Sequence, residues 1–500
     1  MRKKALILFV AIMTGMMSLS CTKFLQEEPK TFLASDNYYT SEQQLESAAN
    51  GLYGGLGLME ERGIVANTQP LFLIEALAGY AERTYLNSNE VNQGYYLNVA
   101  EDNYICEQIW DKMYVYIENC NSFIQGVENA TAEISAQKRD LYLAEGYFFR
   151  AWYYYTLVRC FGPIPLKTTP TTSLENAKMP LTDEKTVFET IVSDLETAEH
   201  LSEAGNWTDG AGRIRKGAIK SLLASVYLTM AGYPVNDQSY YSKAYAKALE
   251  VFNGGAYYLY ETYESARDHF KTVDGGEYIL TNQHCYNVNE SGIHHSFCYY
   301  NPAEPLISAS CTQGGGNVPS AAFYASYPES DLRVAEQGYH FTHYPAVDGS
   351  GEVVFDRPCV FKYWDKNAVS SGKSDANFPL IRYTDVLLTL AEAACAGGST
   401  SDAMAIEAYW QVHSRALPSA AKPASLSFED VFKERFWEEC YEGHLWFDML
   451  RTRKAFDFPS GKVTNLVGYT APTHSRAFAE KDFLLPYPSS EVRLNPNLKR

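Results

Sequence analysis

The feature that most constrains this chain is the run from Gln137 to Phe161. Within it Leu141, Ala144, Phe148, Ala151, Tyr155 and Val158 recur at alternating steps of three and four. That spacing lines apolar side chains along one face of an α-helix, and Gly162-Pro163 stops it. Four further stretches, in two pairs, repeat the style. Lys216 to Ala231 carries Ile219, Leu223, Val226 and Met230 on one side, and a second helix follows from Ser239 to Phe252, with Ala244, Ala246 and Ala248 permitting close approach. Leu380 to Ala396 carries Tyr383, Val386, Leu387, Leu390 and Ala394, ends at Gly397-Gly398, and precedes a helix from Asp402 to Ser414. Helix pairs of this length with alanine at their contacts predict a mostly α fold built on tetratricopeptide-like units. The pairs are not contiguous in sequence, which argues against a long regular solenoid. An earlier helix is predicted over Asn37–Leu56, with Ser41 as N-cap and Gln44 closing a capping box.

Between about 261 and 377 the texture changes to Gly, Pro, Ser, Asn and aromatics, including Gly314-Gly315-Gly316. This predicts loops and short strands, and a long irregular region on a helical scaffold is usually functional. Residues 85–104, with Tyr85, Tyr95, Tyr96 and Tyr104, form a shorter region of the same kind. The chain therefore divides into a helical region at 37–260, an irregular region at 261–377 and a second helical region with a tail at 378–500.

Residues 1–20 have the layout of a secretory signal: Arg2, Lys3 and Lys4, then an uncharged apolar run too short to span a bilayer. It ends at Ser18-Leu19-Ser20-Cys21, and a small residue directly before a cysteine resembles a bacterial lipoprotein signal. Cys21 is thus the expected lipidation site and residues 21–36 an extended tether, broken by Pro29. No later stretch is long and apolar enough to cross a membrane as a helix. The acidic pair Glu27-Glu28 resembles surface-export signals of gut-type bacterial lipoproteins.

The formal charge of −18 becomes −21 once Arg2, Lys3 and Lys4 are removed. Such a surface repels a phosphate backbone, and no basic run offers an exception, so nucleic acid is not a partner. Of ten cysteines, nine follow Cys21, scattered without CxxC or Cys/His spacing suited to a metal. Cys160, Cys395 and Cys440 sit in apolar helical patterns and read as small buried hydrophobes. Cys285, Cys298 and Cys311 could hold one bridge.

Five stretches, in order, carry a resemblance. They are Asn37-Tyr38-Tyr39 with Leu45, Ala48, Gly51 and Tyr53, and Ala144 to Ala151 running on to Phe161-Gly162-Pro163-Ile164-Pro165. Next come Arg382-Tyr383-Thr384-Asp385-Val386-Leu387-Leu388 with Ala391-Glu392-Ala393, and Glu434-Arg435 through Glu438 to Glu442-Gly443-His444, Trp446-Phe447-Asp448 and Arg451. The last is Leu485-Pro486-Tyr487-Pro488 with Glu491 and Asn495-Pro496-Asn497. Together they resemble the SusD/RagB family of outer-membrane nutrient-binding lipoproteins. At His413-Ser414-Arg415-Ala416-Leu417-Pro418 the chain departs from the family's Arg-x-Arg-Ala-Gly-Leu run. The resemblance implies a tetratricopeptide-like scaffold with an irregular half carrying the ligand. It also implies a lid-like role on a SusC-like TonB-dependent transporter and capture of oligosaccharide without chemistry.

The residues agree with that expectation. Aromatics make up 14% of the chain, with 38 tyrosines. A flat apolar ring meets sugar C–H faces, while Asn, Arg and Tyr groups meet sugar hydroxyls. The candidate contacts are Asn92, Tyr95 and Tyr96 in the first loop region, and Tyr286, His294, Tyr299, Tyr300, Asn301 and Trp364 in the second. No metal or cofactor is called for. The carboxylates Glu434, Glu438, Glu439 and Glu442 invite a glycosidase reading. With Arg435 and His444 among them, an internal salt-bridge network joining two helices is the better expectation, and Asp331-Leu332-Arg333 reads as a local ion pair. GxSxG, HExxH and P-loop motifs are absent from the sequence. Two other readings stay open: an anchored adhesin or scaffold that binds proteins, and a peptide ligand within the same import role.

Overall fold

The computed structural model describes residues 38–60, 69–84, 88–173, 178–207, 212–271, 275–312 and 316–498. Asn37, Cys21 and the tether lie outside them. The first helix, α1 (Glu42–Leu52), starts at Ser41, whose side chain accepts the Gln44 N–H while the Gln44 side chain accepts from the cap backbone. A box of this kind contributes about 1 kcal/mol. The helix ends four residues earlier than its sequence predicts, because Tyr53–Met59, with Gly54, Gly55 and Gly57, tightens into a 3₁₀ turn.

Then come α2 (Pro70–Ala78), α3 (Asn89–Tyr95), α4 (Tyr104–Glu128), α5 (Ala136–Phe161), α6 (Glu184–Leu201), α7 (Lys216–Ala231) and α8 (Tyr240–Asn253). Three short helices, α9 (Tyr263–Asp268), α10 (Ile293–Phe297) and α11 (Ala321–Ala325), lie in the irregular region. The chain closes with α12 (Tyr383–Ala396), α13 (Ala403–Ala416), α14 (Phe428–Glu438), α15 (Leu445–Thr452) and α16 (Ser489–Leu494). Tetratricopeptide-like pairing is plain: α4 packs on α5, α5 on α6, α6 on α7, α7 on α8, α8 on α12 and α12 on α13. The gap in sequence between the pairs is closed in space, since α8 lies directly against α12.

In α5 all six predicted face residues are buried, but so are Tyr142, Glu145, Phe149, Arg150, Tyr153, Tyr154 and Leu157. The helix is central rather than one-faced, because α4 and α6 flank it. Its polar groups are paired: Arg150 Nε and Nη2 donate to Asp194 at 2.8 and 2.7 Å, and Arg150 Nη1 donates to Asn121 Oδ1 at 3.0 Å. In α8, Ala244 and Ala248 are buried in the contact with α7 and α12, whereas Ala246, two residues out of phase, is exposed.

The described strands form four separate two-stranded antiparallel sheets. These are β1 (Ala81–Arg83) with β3 (Asn317–Pro319), β2 (Tyr278–Asn282) with β6 (Phe378–Arg382), β4 (His340–Pro345) with β5 (Glu352–Val360), and β7 (Lys454–Asp457) with β8 (Lys462–Asn465). Leu380–Arg382 thus belongs to a strand and not to the predicted helix. An apolar run buried throughout fits either state, and pairing with Tyr278–Asn282 decides it.

A buried ion network ties these parts together. Glu438 accepts from Arg415 at 2.7 Å, Arg382 at 3.2 Å and Arg333 at 3.3 Å. Arg333 also holds Asp331 and Glu434, each at 2.7 Å, so the Asp331–Arg333 pair is one corner of the network. Arg435 reaches Glu392, Asp385 and Glu439, each at 3.0 Å. The network therefore joins the end of β6, α12, α13, α14 and the 331–333 turn, well beyond two helices. Burial alone would push Glu438 up; Arg415, Arg382, Arg333 and Lys362 outweigh it and hold the carboxyl at about 2. Glu434, Glu438, Glu439 and Glu442 are all buried and committed to these partners, so they offer no paired carboxylates to a substrate.

Candidate functional site

The residues just before the first loop region, Ala81–Thr84, pair with the second at the β1–β3 ladder. Arg83 pairs with Asn317 and Ala81 with Pro319. The ladder continues through Thr84, whose N–H donates to the Gly316 carbonyl at 2.9 Å and whose hydroxyl donates to it at 3.0 Å. The Gly316 N–H in turn donates to the Cys298 carbonyl at 2.8 Å. Gly316 has φ +75°, and a Cβ there would collide with Thr84 Oγ1 and press on Tyr300 Cβ at 3.0 Å. Tyr300 is therefore held against the strand that carries Arg83. Beside it the Tyr299 ring packs on Phe355, centroids 4.6 Å apart. Asn301 accepts the Ala303 N–H at 2.9 Å through Oδ1, which shapes its turn.

Further along the chain comes α3, capped by Ser88, whose hydroxyl accepts the Val91 N–H at 3.3 Å. Gly94 lets α3 approach α2 closely, its backbone lying against Ala76 and Leu73. Tyr96 at the helix end is 52% exposed. Tyr95 is half-buried; burial pushes its hydroxyl pKa up, opposed by the neighbouring Arg83 guanidinium. The C-terminal segment fixes this end: Ser475 N–H donates to the Tyr95 carbonyl at 3.0 Å, and its hydroxyl donates to the Tyr96 carbonyl at 3.4 Å. Asn92 Oδ1 is buried and has no hydrogen-bond partner among the described residues.

Arg83 was not legible as a site residue. It stacks over the Phe72 ring at 4.6 Å, and the adjacent Glu82 accepts from Arg357 of β5 at 3.1 Å. Only the pairing of β1 with a distant strand brings these groups to the tyrosines.

The remaining candidates fall elsewhere. Tyr286 is exposed on the Cys285–Asn289 turn, with the Lys373 ammonium 5.9 Å from its ring centre. His294 is 1% exposed, its ring nitrogens bonded to Ser308 Oγ at 3.0 Å and the Asp365 N–H at 3.1 Å. Trp364 is buried among Phe341, Tyr344 and Phe361, and its Nε1–H donates to Tyr344 Oη at 3.0 Å. Trp364 belongs to a small satellite core, His294 packs against it with ring centroids 4.9 Å apart, and both are buried. A groove of about 630 Å³ lined by Trp110, Tyr114, Val115 and Leu494 shares no residue with the tyrosine face.

This scaffold, a stack of helix pairs with an irregular region inserted between α8 and α12, defines a class of helical binding protein. The chain belongs to the SusD family, whose profile matches residues 227–500. A second profile, described as starch-binding associating with the outer membrane, matches residues 23–228. A solved SusD superfamily protein from Parabacteroides distasonis is 31% identical with a TM-score of 0.84, over 92% of this chain and 98% of its own. SusD-like protein P2 of Formosa agariphila is 25% identical over 99% of this chain and 98% of its own length. Surface glycan-binding protein A from Bacteroides uniformis shares the fold at 19% identity and TM-score 0.73, covering 92% of this chain and 99% of that one.

Proposed function

We propose that the protein is an outer-membrane lipoprotein, anchored through Cys21 and facing outward, that captures an oligosaccharide and passes it to a SusC-like TonB-dependent transporter without catalysis. The observation that carries this reading is that residues 83–84 neighbour an aromatic from each region: Arg83 acts on the Tyr95 hydroxyl, and Tyr300 lies at Gly316, which pairs with Thr84. Tyrosine rings suit the C–H faces of sugars, and Asn92, Asn301 and the Tyr hydroxyls suit their hydroxyls. Tyr286 would extend the contact along a longer glycan. A fold neighbour named as a surface glycan-binding protein and a profile described as starch-binding favour a carbohydrate over a peptide. The commitment of the α14 carboxylates to arginines favours binding over hydrolysis.

Affinity electrophoresis of the mature protein against plant, microbial and host glycans tests the ligand class, with calorimetry on any hit. Retardation by one polysaccharide is the expected result; none across the panel would move the ligand to a peptide or protein. Release of product from a retarding glycan would overturn the non-enzymatic reading. A Cys21→Ala variant is expected in the soluble fraction, and its retention in membranes would refute the anchor. Shaving intact cells with protease tests outward exposure, which full protection would rule out.

A further inference from the structure

The Cys298 and Cys311 sulfurs lie 3.3 Å apart, both buried. A third thiol, Cys359, shares their apolar cluster but points its S–H at the Arg357 carbonyl of its own strand, 3.7 Å away. Cys285 is exposed on a different turn. The close pair spans the base of one loop. At its start stand Tyr299, Tyr300 and Asn301; residues 302–305 are exposed; and Ile307 to Cys311 return into the core. The Asn301 N–H already donates to the Cys311 carbonyl at 2.9 Å, which brings the two ends of the loop together.

We propose that Cys298 and Cys311 are joined by a disulfide in the exported protein, so that the loop presenting Tyr299, Tyr300 and Asn301 is stapled at its base. A bond of about 2.05 Å needs only a small rotation of either side chain from this separation. The oxidant is a dithiol oxidant's disulfide, met as the chain folds outside the cytoplasm. Its S–S bond breaks as one cysteine forms a mixed disulfide with it. The second cysteine's thiolate then attacks that cysteine's sulfur, forming the Cys298–Cys311 bond. The oxidant leaves as a dithiol that has taken up two electrons and the two thiol protons. The surroundings suit Cys311 as the attacking thiolate. The Cys298 hydrogen bond, and then the backbone N–H groups of Ile307 and Ser308, lower its pKa to about 7. Closing this loop restricts the unfolded chain and limits the conformations open to Tyr299–Asn301 in the folded one.

The oxidant rests on the exported reading, and the benefit to a ligand on the glycan reading, so the bond is tested without either. Full-length protein is purified from its native membranes, denatured without reductant and labelled with N-ethylmaleimide. Of the nine cysteines after Cys21, seven are expected to label, rising to nine after reduction, with one non-reduced peptide pair containing Cys298 and Cys311. Nine labelled thiols before reduction, or a bridge through Cys359 or Cys285, would overturn the proposal. Protease cleavage within 302–305 of the native protein reads the staple itself. Faster cleavage after reduction is expected in the parent, with no further change on reduction in a Cys298→Ser/Cys311→Ser variant. Equal rates before and after reduction in the parent would refute the stapling role while leaving the glycan reading to its own assay.

Discussion

Arg382 grips Glu442 with two parallel bonds, Nε to Oε2 at 2.9 Å and Nη2 to Oε1 at 2.7 Å, joining the last residue of β6 to the turn that follows α14. Both groups are buried. Neutralising Glu442 takes a carboxylate from Lys362 and from Arg382, which keeps Glu277 and Glu438, in a dry interior, and breaking a buried pair costs about 3–5 kcal/mol. Glu442→Gln should therefore lose about that much stability in urea unfolding, and an Arg382→Met/Glu442→Met double variant should recover part of the loss. A Glu442→Gln protein within about 1 kcal/mol of the parent would show that the network contributes little.

Tyr96 is half exposed, whereas Tyr300 is held at Gly316 beside Thr84. Tyr96→Ala should leave Tm nearly unchanged while weakening glycan binding about five- to tenfold, the effect of about 1–1.4 kcal/mol from one aromatic contact. Tyr300→Ala should do the same with a small loss of Tm. Calorimetry on the retarding glycan checks both, and unchanged affinity in both variants would remove this face as the ligand site.

The sequence spoke clearly where chemistry is local. The period in Gln137–Phe161, the box at Ser41 and the stop at Gly162 are written within one helix and appear as read. The family stretches were equally legible, yet Arg382, Glu434, Glu438, Glu442 and Arg451 are buried and hold the scaffold together through ion pairs. The tyrosine face is different. Thr84 and Gly316, 232 residues apart, make the contact that unites its halves, and no local pattern encodes it. His294 and Trp364 misled for a related reason: polar, glycine-rich surroundings suggest exposure, but the irregular region wraps a satellite core of its own.

His294 makes that core sensitive to acid. Burial lowers its pKa to about 4, partly opposed by Asp365. An unfolded histidine titrates near 6.5, so between these values the unfolded chain binds the proton that the folded one refuses. Its stabilising share is present at neutral pH and lost as pH falls from about 6.5 towards 4. His340 and His474 act in the same direction, with pKa values near 3 and 4, while Glu75, raised to about 7 by burial, acts in the opposite one. Urea unfolding at pH 7 and pH 5 should show His294→Asn losing about 2 kcal/mol less over that interval than the parent. Parallel losses would mean that His294 does not titrate in this range.

Gly316 gives the most direct test of whether the ladder positions the ligand face. Its φ of +75° disfavours any L side chain, and an added Cβ meets Thr84 Oγ1 and Tyr300 Cβ. Gly316→Ala should cost about 1–3 kcal/mol in urea unfolding, leaving a folded protein. Because the strain is relieved by moving Tyr300 away from Thr84, glycan affinity should fall by at least as much as in Tyr300→Ala, though no aromatic atom has been removed. A Thr84→Ala/Gly316→Ala variant relieves half the collision and should regain part of the affinity. If Gly316→Ala folds with reduced stability and binds its glycan as the parent does, Tyr300 is not placed by the ladder, and the ligand meets the irregular region elsewhere.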